Sequence, residues 1–190
     1  MASLQERMAL LERDLADPKK RLSDQMMVPM AVFLYEPRDE YVLRREKELL
    51  AIRLRNSGKH IVEVDLCELL WSMITEVFPK EEFFQAERSQ GLQPVLETII
   101  NILGGTGERP SLEERIAQLV GELPADSGVV LLWRLGALYP VYNASHLLAR
   151  LQGKVKLPVV LFYPGTQEDR TTLRFMGKWA PGGSYRERIY

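Results

Sequence analysis

Four short segments with the length and composition of buried β-strands constrain the fold of this chain more than any other feature of its sequence. Residues 28–35, 129–133 and 157–163 are apolar throughout, and residues 60–65 form a fourth short segment between two helical stretches. Continuous apolar runs of this length are typical of strands covered on both faces. Four such strands alternating with helices predict a three-layer α/β fold with a mostly parallel sheet, whose strand order stays open.

Helix signals fill the spaces between these strands. Ser3 and Glu6 form a capping box that opens an amphipathic helix over about residues 3–16. A second helix is predicted for residues 38–57, with Glu46 and Lys47 facing solvent. Its predicted inner side consists of large aliphatic residues: Val42, Leu43, Leu49, Leu50 and Leu54.

The length of 190 residues fits one α/β domain that spans residues 1–190. A helical insertion is expected over about residues 80–123, with its last helix opened by a second capping box at Ser111 and Glu114. A helix is predicted from about Pro140 to Leu151. Residues 173–175 and 186–190 are predicted to add edge strands.

The charge balance and the single cysteine limit the classes of partner and compartment. The chain has 25 basic and 26 acidic residues, so the protein as a whole has no strong electrostatic attraction to DNA or to a membrane. Cys67 is the only cysteine, which excludes an intrachain disulfide and a thiolate zinc site. With no run of 18 apolar residues, we expect a cytoplasmic protein in which Cys67 is a packed, unreactive thiol.

The carboxyl ends of the predicted strands carry a set of polar and aromatic residues. In open α/β sheets these ends meet at one edge, where ligands and partners usually bind. The set consists of Arg38, Asp39, Asp65, Arg134, Tyr163, Gly165 and Thr166. A purely structural interpretation also fits, since Asp39 and Asp65 can cap helices and Pro164-Gly165 can form a turn.

No catalytic or cofactor motif is complete in the sequence. The glycine-rich residues 104–109 follow a helix and lack the lysine and hydroxyl ending of a phosphate-binding loop. His60 and His146 lie away from the predicted strand ends. A metal site built from Asp39, Glu40 and Asp65 stays open as an alternative. We therefore expect no cofactor, no bound metal and no enzymatic activity.

Several longer segments resemble one known family. They are residues 31–46, 65–71, 131–140 and 161–166 together with the tail at 173–177 and 185–190. They are similar to the BrxB-like components of bacterial BREX phage-defence systems. The resemblance implies a small protein that acts beside a methyltransferase, an ATPase and a PglZ-like phosphatase-fold protein, in phage restriction and host DNA methylation. It supplies no catalytic residue.

Three functions follow as hypotheses. The first is a non-catalytic adaptor that binds another BREX subunit, with the PglZ-like protein as a candidate, through Arg134, an exposed Tyr163 and the other strand-end residues. The second is a nucleic-acid-binding accessory protein that contacts DNA weakly or indirectly. Its candidate residues form the basic C-terminal face: Arg174, Lys178, Arg186 and Arg188. The third is a metal-dependent nuclease with acidic residues at the strand ends.

Overall fold

The predicted strands form one mixed sheet with a parallel centre. The computed structural model describes residues 2–17, 30–179 and 184–190. Within them the strands are β1 (Met30–Tyr35), β2 (His60–Asp65), β3 (Gly128–Trp133), β4 (Val159–Gln167), β5 (Leu173–Phe175) and β6 (Arg188–Ile189). Their order across the sheet is β2-β3-β4-β1-β6, and β5 pairs with β4 alone. Residues 28 and 29 of the first predicted strand lie outside the described residues.

β4 is the central strand and the longest. Its residues 159–164 pair in parallel with the whole of β1, and residues 159–161 pair in parallel with β3. Beyond Pro164 the strand continues past both neighbours and pairs in antiparallel fashion with β5. β6 adds a short parallel edge to β1, so the two predicted C-terminal edge strands are both present.

The helices follow the sequence signals closely at their beginnings. They are α1 (Leu4–Ala16), α2 (Glu40–Asn56), α3 (Leu66–Thr75), α4 (Lys80–Gln90), α5 (Leu92–Gly104), α6 (Leu112–Val120) and α7 (Ala144–Leu151). Both capping boxes are formed as predicted, at Ser3 and at Ser111. The prediction that the last helix begins near Pro140 is wrong. The helix begins at Ala144 because the Asn143 side chain accepts a hydrogen bond from the Ser145 amide.

The helices cover both faces of the sheet. Side chains of α1 and α2 pack with Ala31, Phe33 and other residues of one sheet face, while α3 and α5 to α7 pack with Val32, Leu161 and other residues of the opposite face. Alternate residues of the central strands thus enter different cores, as the pleat requires. The predicted three-layer α/β architecture with a mostly parallel sheet is confirmed.

The predicted inner side of α2 is confirmed for Leu43, Leu50 and Leu54, which are buried, but the prediction is wrong for Val42, Leu49 and Lys47. Lys47 is 3% exposed and bonds the carboxylate of Glu63 on β2, while its ammonium lies 4.4 Å from the centre of the Trp133 ring. Val42 and Leu49, placed inside by the sequence, are exposed. A buried lysine of this kind is stable because a carboxylate and an aromatic face both stabilise its charge.

Glu63 joins α2 to the edge strand β2 through two cations. Lys47 and Arg55 each bond one of its carboxylate oxygens. Burial raises the pKa of Glu63, but the hydrogen bonds and charges of Lys47 and Arg55 outweigh burial and leave that pKa below its ordinary value of 4.5. The ionised carboxylate therefore contributes to stability above about pH 4.5, and this contribution is lost as the pH falls through the lower pKa of the folded state.

We expect Glu63→Gln to lower the free energy of unfolding by about 2 kcal/mol at pH 7, because two charge-assisted hydrogen bonds are weakened and Lys47 stays buried. The difference from the wild type should shrink as the pH falls below about 4.5. Urea unfolding over a pH series measures it. Glu122→Gln, which changes an exposed carboxylate, serves as the control and should have little effect. A Glu63→Gln difference that stays constant or grows in acid would contradict this assignment.

Candidate interaction surface

Two of the predicted site residues meet where β2 and β3 end. Asp65 accepts hydrogen bonds from the backbone amides of Cys67 and Glu68, and so caps α3. Its second carboxylate oxygen accepts a hydrogen bond from the Arg134 guanidinium at 2.9 Å. The structural interpretation of Asp65 as a helix cap is confirmed, and the same carboxylate also orients Arg134 at the sheet edge.

Arg134 has an unusual backbone conformation. Its φ of 59° and ψ of 39° lie in the left-handed region, which costs an ordinary residue about 1 kcal/mol. The hydrogen bond that Arg134 donates to the Asp65 carboxylate raises the pKa of Arg134, so the guanidinium stays charged. About a third of the side chain is exposed, and the group lies 5.7 Å from the centre of the Trp133 ring. The arginine is thus held in one place while part of it faces solvent.

The expectation that Tyr163 is exposed is wrong. Its side chain is 2% exposed, because β5 and the C-terminal segment fold over the end of β4. The ring makes edge contacts with Phe175 and with Tyr185, at centre distances of 5.7 Å for both. Burial raises the pKa of Tyr163 and of Tyr185, so both phenols are neutral. Tyr163 therefore supports the surface from beneath.

An aromatic group that the sequence interpretation missed lies above these buried rings. Tyr139 stacks on Phe175 at 4.9 Å and also contacts Trp179 at 4.9 Å. Trp179 is half exposed, and the neighbouring Met176 is 42% exposed. The concentration of aromatic residues in the segment after β4 was the available signal. We call Arg134, Tyr139, Phe175, Met176 and Trp179 the carboxyl-edge surface.

A small cleft lies next to the aromatic group. Tyr139, Tyr163 and Phe175 line it together with residues of the loop before α7, and its volume is about 90 Å³. At the density of liquid water this volume corresponds to about three water molecules. The cleft is therefore of the size that takes one apolar side chain.

Gly165 allows β4 and β5 to approach closely enough to form this surface. A methyl group at Gly165 would lie inside contact distance of the Arg174 carbonyl oxygen and 2.7 Å from the Tyr163 ring. Thr166, the next predicted site residue, is exposed and pairs with Arg174 on β5. The hairpin therefore requires glycine at this position.

Arg38 and Asp39 lie apart from the surface, on the turn that follows β1. Arg38 is exposed and forms an ion pair with Glu36 at 2.7 Å. Asp39 precedes α2 but makes no side-chain capping hydrogen bond. β4 lies between β1 and β3, so the structure does not bring these two residues together with Arg134.

The acidic residues of the proposed metal site are also separated. Asp65 is on β2, whereas Asp39 and Glu40 follow β1, three strand spacings or about 14 Å across the sheet. Glu40 bonds Arg44 and Tyr35 instead. Among the residues that the structure describes, no group of three or more histidine, cysteine, aspartate or glutamate side chains could hold a metal ion.

The four basic residues of the C-terminal face do not form one patch. Arg174 forms an ion pair with Glu168, and Arg188 forms one with the buried Asp14 on α1. Lys178 and Arg186 are exposed. Arg188 pairs with Ala31, which in turn pairs with Val160 of β4. Arg174 pairs with Thr166, six residues beyond Val160, so the two arginines are separated by about 20 Å along the strand direction. The charge available for a nucleic acid is therefore small and divided.

Cys67 lies outside this surface. It was predicted to be packed, but it is only partly buried on the first turn of α3, where it does not belong to either core.

None of the helices in the described ranges is long and apolar enough to cross a membrane.

These features define an α/β protein with a mostly parallel sheet whose carboxyl edge carries a fixed arginine after β3 and an aromatic group at the β4–β5 hairpin. The family model described as BREX protein BrxB matches residues 62–189, more than half of the chain. The chain therefore belongs to the BrxB family, as a component of a BREX antiviral defence system that works with the other subunits of that system. No curated protein and no solved structure gives a significant match.

The family match includes the whole carboxyl-edge surface. It begins at Val62, so it contains Asp65, Arg134 and the whole β4–β5 hairpin. The similar segment at residues 31–46 precedes it. The resemblance noted in the sequence is confirmed over the matched range.

We expect Gly165→Ala to separate β5 from β4, since the added methyl group has no space. The free energy of unfolding should fall by about 2 kcal/mol or more, and amide protection should be lost in residues 165–175 first. Hydrogen exchange read by NMR measures both effects. Gly136→Ala, at a nearby position with open space, is the control. Retained hairpin protection in Gly165→Ala would show that the close approach is not required.

Proposed function

We propose that this BREX component is a non-catalytic adaptor that binds another subunit of its defence system through the carboxyl-edge surface. The observation that carries the proposal is the exposure of Trp179 and Met176 on a rigid aromatic base. Tryptophan and arginine are the residues most enriched at the energetic centres of protein interfaces, and such centres pair with pockets. The surface offers both residue types and the adjoining 90 Å³ cleft.

Backbone strain supports the same assignment. Arg134 and Met176 are the two non-glycine residues with positive φ in the described part of the chain, and both belong to the carboxyl-edge surface. Glycine would relieve this strain, since it has no side chain to clash. Strained residues are concentrated at functional sites, where the side chain matters more than the local stability. Two such residues on one surface favour a binding role there.

The hydrogen bonds of Asp65 favour a structural role for this residue over a catalytic one. Its carboxylate bonds two backbone amides and one guanidinium, so its acceptor sites are largely engaged. A general base or a metal ligand would have to give up one of these bonds. Contact with a partner does not require the loss of any of these hydrogen bonds.

The PglZ-like phosphatase-fold subunit is the proposed partner, on the basis of the family context alone. The surface is mainly aromatic and its one cation, Arg134, is paired with Asp65, which suits a protein partner better than DNA, whose binding would depend on many phosphate contacts. Direct binding to DNA is expected to be weak, because Arg174 and Arg188 are already in ion pairs.

Met176→Gly should weaken partner binding about tenfold while leaving the protein at least as stable as the wild type, because glycine removes the side chain and relieves the strain. Trp179→Ala should weaken binding about thirtyfold. Co-purification from cells that carry the complete BREX cassette, followed by titration against the captured subunit, measures both. Leu119→Ala, at a leucine on α6 as exposed as Trp179, is the matched control. The proposal fails if Met176→Gly and Trp179→Ala bind every subunit like the wild type.

A catalytic role is tested separately. The purified protein should neither hydrolyse ATP nor cleave duplex or single-stranded DNA in the presence of magnesium or manganese. Asp65→Asn, which keeps the shape of the side chain, gives the specificity control. Turnover by the wild type that disappears in Asp65→Asn would contradict a non-catalytic role.

A further inference from the structure

The outer face of α2 carries several large apolar side chains that are at least a third exposed. Tyr41 is 82% exposed and Ile52 is 50% exposed, and Val42 and Leu49 flank them. At 100° per residue these four side chains lie within about 100° of one another around the helix axis. They point away from the buried side of α2, which contains Leu43, Leu50 and Leu54.

Two unpaired charges of opposite sign lie between the apolar ends of this face. Arg45 and Glu48 are exposed, one turn apart, and fall on the line that joins Tyr41 to Ile52. Neither forms an ion pair or a hydrogen bond with another described residue, although Glu40, Arg44, Lys47, Arg53 and Arg55 of the same helix all do. Both charges are therefore available to a partner.

The order of the apolar and charged residues Tyr41, Arg45, Glu48 and Ile52 along α2 is self-complementary. Tyr41 comes four residues before Arg45, and Ile52 comes four residues after Glu48. If a second copy of α2 is laid antiparallel so that Arg45 of each copy meets Glu48 of the other, Tyr41 of each copy automatically meets Ile52 of the other. An isologous interface has this reciprocal form, in which the same patch serves both partners.

We propose that the outer face of α2 is a dimer interface that takes a second copy of this chain in an antiparallel, two-fold arrangement. Charge complementarity favours a second copy of the chain as the partner. A single register of the two helices forms two Arg45–Glu48 ion pairs and covers two Tyr41–Ile52 pairs at once. The contact would extend over about 16 Å of helix, from Tyr41 to Ile52. Such an area is smaller than that of a standard interface, so the dimer should be weak, with a dissociation constant on the order of 10–100 µM.

This inference is independent of the proposed adaptor function. α2 lies on one face of the sheet, whereas the carboxyl-edge surface is formed by residues that follow β3 and β4. None of the residues of the α2 face belongs to the carboxyl-edge surface, so the two proposals use different side chains. Failure of either proposal leaves the other standing.

Sedimentation equilibrium of the full chain over roughly 10–500 µM tests the interface, since this range brackets the expected constant. The wild type should show a monomer–dimer equilibrium. Ile52→Glu should be monomeric over the whole range, because a charge would be buried without a partner. Ile100→Glu is the matched control, since Ile100 is an isoleucine of similar exposure (47%) on the unrelated helix α5, and it should dimerise normally.

Charge reversal tests the register itself. Arg45→Glu should weaken the dimer at least about tenfold, because it places like charges opposite one another twice. The double variant Arg45→Glu, Glu48→Arg should recover most of the lost affinity, since it restores both pairs with their signs exchanged. A monomeric wild type at the highest concentration overturns the proposal. A dimer that withstands Ile52→Glu, or one that charge exchange does not restore, overturns it as well.

Discussion

The length of β4 is the constraint on which the rest of this structure depends. Its first six residues pair with β1, but the strand then continues past the end of the sheet, where its backbone groups would lose their partners. Buried amides and carbonyls are costly to leave unpaired, so a second segment has to supply those hydrogen bonds. β5 does so, and the Met176 amide donates to the Pro164 carbonyl where the hairpin turns away. The hairpin covers Tyr163 and leaves Trp179 at the surface.

An ion pair occupies the other side of the same edge, at the ends of β2 and β3. Asp65 and Arg134 join the ends of β2 and β3 and fix the beginning of α3. In many α/β proteins this edge is an open crevice that holds a ligand. Here an ion pair and an aromatic hairpin occupy it, so the edge presents a largely preformed surface with only a small cleft. Such a surface binds a protein partner with little loss of conformational entropy, which is the physical basis of the proposed adaptor role.

The backbone architecture was predictable because its signals are local. Apolar runs predicted three of the four main strands, the position of residues 60–65 between two helical stretches predicted the fourth, and the Ser3 and Ser111 capping boxes predicted two helix starts. The environments of individual side chains were less predictable, because they depend on tertiary contacts. Lys47 is buried only because Glu63 and Trp133, distant in sequence, meet it. The exposure of Tyr163 was mispredicted for the same reason, since the strand that covers it follows a loop whose fold no local pattern reveals.

Hydrogen–deuterium exchange of the chain, alone and in the complex co-purified from the complete BREX cassette, is the most direct test of partner contact at the carboxyl-edge surface. We expect slower exchange in the complex at residues 134–143 and 173–179, with α4 and α5 unchanged. Exchange that is unaltered in those two segments while protection appears on α4, α5 or the loop at residues 104–110 would contradict it.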